Sequence, residues 1–489
     1  MDNVKVFTPT HITTYMLKMA GYGSPSTILR KHVIDNSCGD GAILSLIVCT
    51  YIEVYMHDDK NILTPQNKLK DLKQQLETYI HGIEIDPDLR EQCIVKLDIM
   101  AGLYGIEGVN WDIVNDDALR YHEYDGMMDY VVGNPPYKNV HNFGDEKEFL
   151  KSFKFVGKGM TDLYIIFFER GLDMLNEKGK LVYITPSSWT TSMAGRVLRE
   201  YAFDTGNLSA VLDFKNEQVF DGVTTFTMIT VFDKGKTDRS LCLWKPDFKN
   251  SGILATMCLD DIFIDGKFFF SEDAEISNLL LKIDKHDFDD LVTVKNGFAT
   301  LNDKLFVIDT PDRKEGLVPY IDNVIPAVKA SRGKSVLMVY PYNDYCSLYN
   351  FDELTPKTQQ YLLKRKDELG ISSDYGVWWA YGRTQAIKDV GKPKIYINNL
   401  ISDCQDLIFD ICSPKEGVYS GFYIIADDGK DLSRTFQILT DIKNGGRIGD
   451  IFIRYIRGLG KYKNGGYYTF SSKELQNFLN IALKDINII

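Results

Sequence analysis

Residues Asn134-Pro135-Pro136-Tyr137 bring together a side-chain amide, two imide rings and an aromatic face, directly after the apolar run Met128-Asp129-Tyr130-Val131-Val132-Gly133. The run reads as a strand, and two prolines cannot continue a central strand, so the chain must leave the sheet in a stiff, extended turn. Such a turn suits alkylation of an exocyclic aromatic amine. That nitrogen is a poor nucleophile because its lone pair is delocalised into the ring. The Asn134 side-chain oxygen and the Pro135 carbonyl can each accept one amino hydrogen, which turns the lone pair toward an incoming electrophile by positioning and electrostatics alone. Tyr137 adds a flat face for a stacked base, worth about 1–3 kcal/mol. A bare tetrapeptide of this kind can also be a proline-stopped strand followed by a surface tyrosine, so its neighbours decide.

Those neighbours are three strand tips in series. His32–Asp35 runs into Asn36-Ser37-Cys38-Gly39-Asp40-Gly41 and then a helix, an arrangement in which glycines let a ligand approach the backbone. Its spacing is not the G-x-G-x-x-G of dinucleotide binders, and a simple glycine turn is as common. A second strand ends at Glu84-Ile85-Asp86-Pro87, where an acid could accept two ribose hydroxyls, and a third ends at Asn115-Asp116-Asp117-Ala118. Each acid alone is more often a helix cap, Asp86 before Pro87 above all.

From about Lys31 to Asp233, short β-rich runs alternate with helical patterns, the mark of a parallel sheet flanked by helices. Strands are expected at His32–Asp35, Ile80–Ile85, Asn110–Val114, Met128–Val132, Lys180–Ile184, Ala210–Asp213 and Thr224–Phe232. Helices are expected at Gly41–Met56, Pro87–Tyr104, Asp162–Leu175 and Ser188–Tyr201.

With these elements in place, the chain resembles the amino-group DNA methyltransferases of the adenine-N6, gamma-ordered class, over residues 5 to about 235. The resemblance implies an α/β fold: a Rossmann-like S-adenosylmethionine-dependent domain with a mixed, mostly parallel sheet, then a mixed α+β target recognition domain. Phe7-Thr8-Pro9 is similar to the family's N-terminal cofactor motif. Asp35 to Gly41, with Cys38 and Gly39, is similar to its methionine-end loop. Glu84 with Ile85 matches the ribose site, Asp117 with Ala118 the adenine site, and Asn134, Pro135, Pro136 and Tyr137 the catalytic tetrapeptide, whose Asn134 and Pro136 also border the cofactor. Asp162-Leu163-Tyr164 and Tyr183 to Trp189 look like later pocket motifs. Phe220 matches the aromatic that faces a flipped base opposite Tyr137, although Phe226 lies close by.

The expected organisation is a catalytic domain over 1–245, a connector over 246–290 and a DNA-reading domain over 291–489. The net charge of -12 divides unevenly. Residues 1–290 carry 30 basic and 45 acidic side chains, and residues 291–489 carry 26 and 23, so a polyanion should favour the second half. There Arg383, Arg454, Arg457, Lys461 and Lys463, interleaved with tyrosines, could follow the phosphate backbone of double-stranded DNA. A solvated surface explains any one of them equally well. Eight scattered cysteines without a CxxC pair read as reduced core residues, and no metal is expected. No apolar run spans a bilayer, and a cytoplasmic monomer is the expectation.

A cytosine-C5 methylase would need a thiolate nucleophile, usually in a Pro-Cys pair that the chain lacks. Cytosine-N4 methylation remains a minority reading, as does an N-methyltransferase acting on protein amide or RNA. Only six residues precede the first motif, and Pro246-Asp247 with Asp265-Gly266-Lys267 fits a nuclease pattern only loosely, so the chain reads as a methylase that could accompany a separate restriction endonuclease.

Overall fold

The computed structural model describes residues 8–138, 146–157, 162–215, 219–220, 226–245, 252–271, 273–285, 289–308, 321–344, 346–369, 377–463 and 465–484. Phe7 and residues 246–251 therefore lie outside the described residues. The chain divides into two compact units, Met1–Ser277 and Asn278–Ile489.

The first unit is built on a nine-stranded sheet in the order β3-β2-β1-β4-β5-β7-β6-β8-β9. Its strands are β1 (Val33–Asp35), β2 (Ile80–Ile83), β3 (Asp112–Val114), β4 (Met128–Gly133), β5 (Leu175–Pro186), β6 (Leu208–Asp213), β7 (Thr227–Asp233), β8 (Ser240–Trp244) and β9 (Ile253–Cys258). Only β7 and β9 run against the rest. The chain lays down β1, β2 and β3 outward, then returns to place β4 on the other side of β1. That reversal opens a crevice at the carboxyl ends of β1 and β4, where open α/β sheets bind ligands.

Both faces of the sheet are covered, because successive strand side chains point to opposite sides. Val132, Val182, Ile184 and Leu212 join a core with the helices Thr10–Ala20 and Ala42–Met56. Val131, Leu181, Tyr183 and Val211 join another core with the helix Leu163–Met174. Sheets buried on both faces require the near-continuous apolar runs seen in these strands.

Three expectations are corrected here. The helix expected over Ser188–Tyr201 is a short 3-10 turn, Ser187–Thr190, and a separate helix, Arg196–Thr205. The chain bends there around the fully buried Trp189, and Arg199 fastens the bend by donating to the Trp189 and Ser192 carbonyls, both at 2.6 Å. β5 begins five residues before its expected start, since Leu175 pairs with Met128 across a bulge. Ile253–Cys258, expected within a connector, pair with β8 as the edge strand.

The second unit is mixed α+β. Val292–Asn296, Phe422–Ala426, Ile395–Ile397 and Phe409–Ile411 form one antiparallel sheet, and Val307–Ile308, Lys334–Val339, Val324–Lys329 and Gly417–Tyr419 form a mixed one, in which the last two strands pair in parallel. The helix Ser472–Lys484 supports the first, with Asn480 Oδ1 accepting the Leu291 and Val292 amides at 3.1 and 2.9 Å. No helix of the described residues is long and apolar enough to cross a membrane.

Candidate active site

The strand tips expected to carry chemistry are tied to one another in series. After β1 the chain turns through Gly39 and Gly41, at φ 54° and 84°, a backbone conformation that glycine adopts without steric cost. The turn is docked on β2 by the Cys38 amide, which donates to the Ile83 carbonyl at 3.0 Å. Glu84 closes the same junction, its Oε2 accepting the Gly39 amide at 2.8 Å and its Oε1 the Asp86 amide at 2.9 Å. Each oxygen keeps a second lone pair for a ligand hydroxyl. Asn115 ties β3 to β2 by donating to the Glu84 carbonyl at 2.8 Å.

At the tip of β4, Asn134 donates its side-chain amide to Thr8 Oγ1 at 3.2 Å, and its carbonyl accepts from Ser37 Oγ at 3.5 Å. Asn134 Oδ1 is buried and has no hydrogen-bond partner. A buried acceptor without a donor is costly, and at a strand tip it is available to a ligand donor. Pro9 N-caps the helix Thr10–Ala20, and this anchors Thr8 beside Asn134. Pro135 is buried and Pro136 half-buried. Tyr137 fixes its ring by donating its hydroxyl to the Ile184 carbonyl of β5 at 3.1 Å, with Tyr164 edge-on at 6.2 Å. Burial pushes the pKa of this hydroxyl well above the ordinary tyrosine value, so it stays a donor.

The remaining acids divide by environment. Burial raises the Asp35 carboxyl to about 7, opposed by the Ser37 amide and reinforced by Glu84. Asp213, at the end of β6, is raised by burial to about 6. Asp117 Oδ1 accepts the Leu119 amide at 3.0 Å and its Oδ2 lies 3.4 Å from Arg120 Nε, while Ala118 is buried behind it. Asp86 is the helix cap that the residue before Pro87 suggested, accepting from Asp88 and Leu89. Ile85, between Glu84 and Asp86, is 67% exposed and offers an apolar face at the end of β2.

Two expected side chains sit elsewhere than a ligand would need. Cys38 is buried, with its thiol against Cys93, so only its backbone belongs to the turn. Phe220 is 3% exposed and belongs to the core cluster against which Tyr137 packs.

Sequence reasoning missed Arg170. This fully buried guanidinium of the helix Leu163–Met174 donates to the carbonyls of Ala118 and Tyr121, at 3.3 and 2.7 Å, and to Asp125 Oδ1 at 2.8 Å. It therefore clamps the segment that carries Asp117. Its neighbour Glu169 accepts the Lys154 and Phe155 amides at 3.1 and 2.8 Å. The signal was present: a Glu-Arg pair in the buried middle of a largely apolar helix has to satisfy its charge within the fold.

In the second unit, two of the five expected cations are engaged by acids. Both Glu474 oxygens lie within 2.8 Å of Lys461 Nζ, and Arg454 bonds Asp450 one helical turn away at 2.9 Å. Arg383, Arg457 and Lys463 are exposed, with Arg457 over the Tyr468 ring at 5.6 Å.

The sheet order and the linked strand tips define a Rossmann-like α/β domain with its ligand crevice at the strand tips, and the relatives it matches are methyltransferases. Residues 42–220 match the family described as Eco57I restriction-modification methylase. The chain is 24% identical to "Type II restriction enzyme and methyltransferase RM.Eco57I" of Escherichia coli, over 82% of this chain and 50% of that protein. It is 22% identical to "Type II methyltransferase M.BstVI" of Geobacillus stearothermophilus, over 74% of this chain and 70% of that one. Its fold is similar to that of the Type IIL restriction-modification enzyme MmeI, solved in complex with DNA, with a TM-score of 0.62 at 13% identity, covering 94% of this chain and 63% of that chain. Over residues 42–220 the chain thus matches a restriction-modification methylase family, and it is similar to Type II methyltransferases over most of its length. It spans half the length of RM.Eco57I.

Proposed function

We propose that the chain is a DNA methyltransferase of a restriction-modification system that methylates N6 of an adenine rotated out of the duplex. The observation that carries this reading is the buried, unpartnered Asn134 Oδ1 at the tip of β4. An exocyclic amino group offers two hydrogens, one for Asn134 Oδ1 and one for the Pro135 carbonyl, and taking both turns the nitrogen lone pair out of conjugation. Thr8 Oγ1 accepts from the Asn134 side-chain nitrogen, which leaves Oδ1 free for this. The tethered Tyr137 ring gives the flipped base a stacking face. Phe220 is proposed as its opposite face and would have to leave its buried position to serve.

The residues present fit S-adenosylmethionine. Glu84 would hold the ribose hydroxyls, Ile85 and Asp117 the adenine, and the Gly39 turn and Asp35 the methionine end. The bound cofactor supplies a methyl group on a sulfonium, an electrophile that needs no metal. The second unit is proposed to bind the duplex, with Arg383, Arg457 and Lys463 near phosphates, so affinity should fall with salt. RM.Eco57I is by name both a restriction enzyme and a methyltransferase. A cognate endonuclease, as a partner or in another part of a longer chain, accords with that relative.

Single-molecule modification mapping tests the reading. Unmethylated genomic DNA incubated with the protein and S-adenosylmethionine should acquire N6-methyladenine confined to one short motif. Methyl groups on cytosine N4, or none on DNA while the cofactor binds, would overturn the adenine assignment or the DNA assignment respectively.

A further inference from the structure

In the second unit, a tight turn between the strand Val292–Asn296 and the helical turn Asp303–Phe306 has Leu301 near its tip. Leu301 stands in the left-handed region at φ 59° and is 77% exposed. An exposed leucine alone is ordinary. One held in a backbone conformation that leucine disfavours is a feature the surrounding structure has to impose, and such strain gathers at functional positions.

The bracing is extensive. Phe298 is fully buried and stacks on Tyr381, 4.9 Å between rings at 16°. Ala299 and Arg383 exchange two backbone hydrogen bonds at 3.1 and 3.0 Å. Thr300 donates to Asp303 at 2.6 Å, and the Asn302 side chain caps the following turn through the Leu305 amide. Gly382 lies directly under the leucine, where any Cβ would overlap the Leu301 side chain. The rigid apolar tip is set among cations. Arg383 adjoins it across the backbone bridge, Lys304 follows three residues on, and Arg365 donates to the Lys304 carbonyl at 3.1 Å.

We propose that Leu301 is a wedge that enters the base stack of duplex DNA, with Arg383 and Lys304 against the phosphates that flank the opened step. An aliphatic tip can displace stacked bases only if it is presented rigidly, and the backbone it parts carries negative charge on both sides. An apolar tip with Arg383 and Lys304 beside it in the fold and the sequence meets both needs. The proposal rests on the reading of the chain as a DNA methyltransferase.

The test uses the full chain and duplexes containing the motif found by modification mapping, with 2-aminopurine placed at successive positions. Emission should rise at one step other than the methylated base. L301A should lose most of that rise and bind the duplex about tenfold more weakly, and L301F should keep both. R383Q should reduce the slope of log affinity against log salt by about one. S-adenosylmethionine affinity, unchanged in all variants, reports that the fold is intact. If L301A methylates, binds and unstacks the duplex as the parent does, the wedge is refuted and the tip belongs to a protein contact. If the parent chain methylates no duplex at all, the DNA reading fails first and the wedge with it.

Discussion

The Glu84 carboxylate bridges two strand tips, holding the Gly39 amide at 2.8 Å on one oxygen and the Asp86 amide at 2.9 Å on the other. This pairing makes the cofactor site and the turn above β1 one rigid piece. In Glu84→Gln the amide nitrogen must oppose one of these backbone donors, and the carboxylate charge proposed to face the ribose hydroxyls is lost. S-adenosylmethionine binding measured by calorimetry should weaken about 10- to 100-fold, the worth of a charge-assisted hydrogen bond. Unchanged affinity would remove Glu84 from the site.

Asp35 predicts a proton linkage. Burial lifts its folded value to about 7, above an unfolded value of about 3.9. The protonated form is thus favoured by folding. Its contribution to stability is complete below about pH 4 and is lost as pH rises through about 7. A cationic ligand favours the carboxylate, so binding S-adenosylmethionine near pH 6 should release a proton. Calorimetry in buffers of different ionisation enthalpy would detect this, and Asp35→Asn should abolish it. Proton-neutral binding by the parent chain would place Asp35 away from the ligand.

Asn134→Ala should lower kcat at least about 100- to 1,000-fold, the usual cost of removing one group aimed at developing charge, with cofactor affinity nearly unchanged. Thr8→Val tests the orientation separately. Loss of its hydroxyl frees the amide to rotate, so kcat should fall while KM for DNA stays. Full turnover in Asn134→Ala would refute the assigned role.

Arg170 and Lys461 should behave as parts of the framework. Arg170→Ala leaves Asp125 and two carbonyls without their buried donor and should cost about 3–5 kcal/mol in chemical denaturation, with weaker cofactor binding because Asp117 is released. Lys461→Ala should lower stability, since Glu474 loses its partner, whereas Lys463→Ala should weaken DNA binding at low salt with stability unchanged. A DNA defect from Lys461→Ala at full stability would reverse that assignment.

The tips of β1, β2 and β4 were legible because each ends in residues that a strand interior excludes: Gly39, Pro87, Pro135 and Pro136. Alternating apolar runs likewise announced the parallel sheet, as both faces had to be covered. Less visible was anything decided by a distant partner. Lys461 looks like a free cation until Glu474 folds beside it, and Cys38 looks like part of a ligand loop until Cys93 receives its thiol. The break at Trp189 was hidden for the same reason. Helical periodicity continues through Ser188–Tyr201, yet burying one indole and satisfying Arg199 outweighs it. β9 escaped notice because Ile253–Cys258 shows no alternation: all of its residues but Thr256 are apolar, yet none is buried.

The bond between Thr8 and Asn134 joins positions 126 residues apart along the chain. On the proposed reading, a residue far from the catalytic turn in sequence sets the aim of the methylation pocket, with a practical consequence. A change that displaced Thr8 would burden the chemistry even in a perfectly folded preparation, so variants around it call for a turnover assay beside any folding assay.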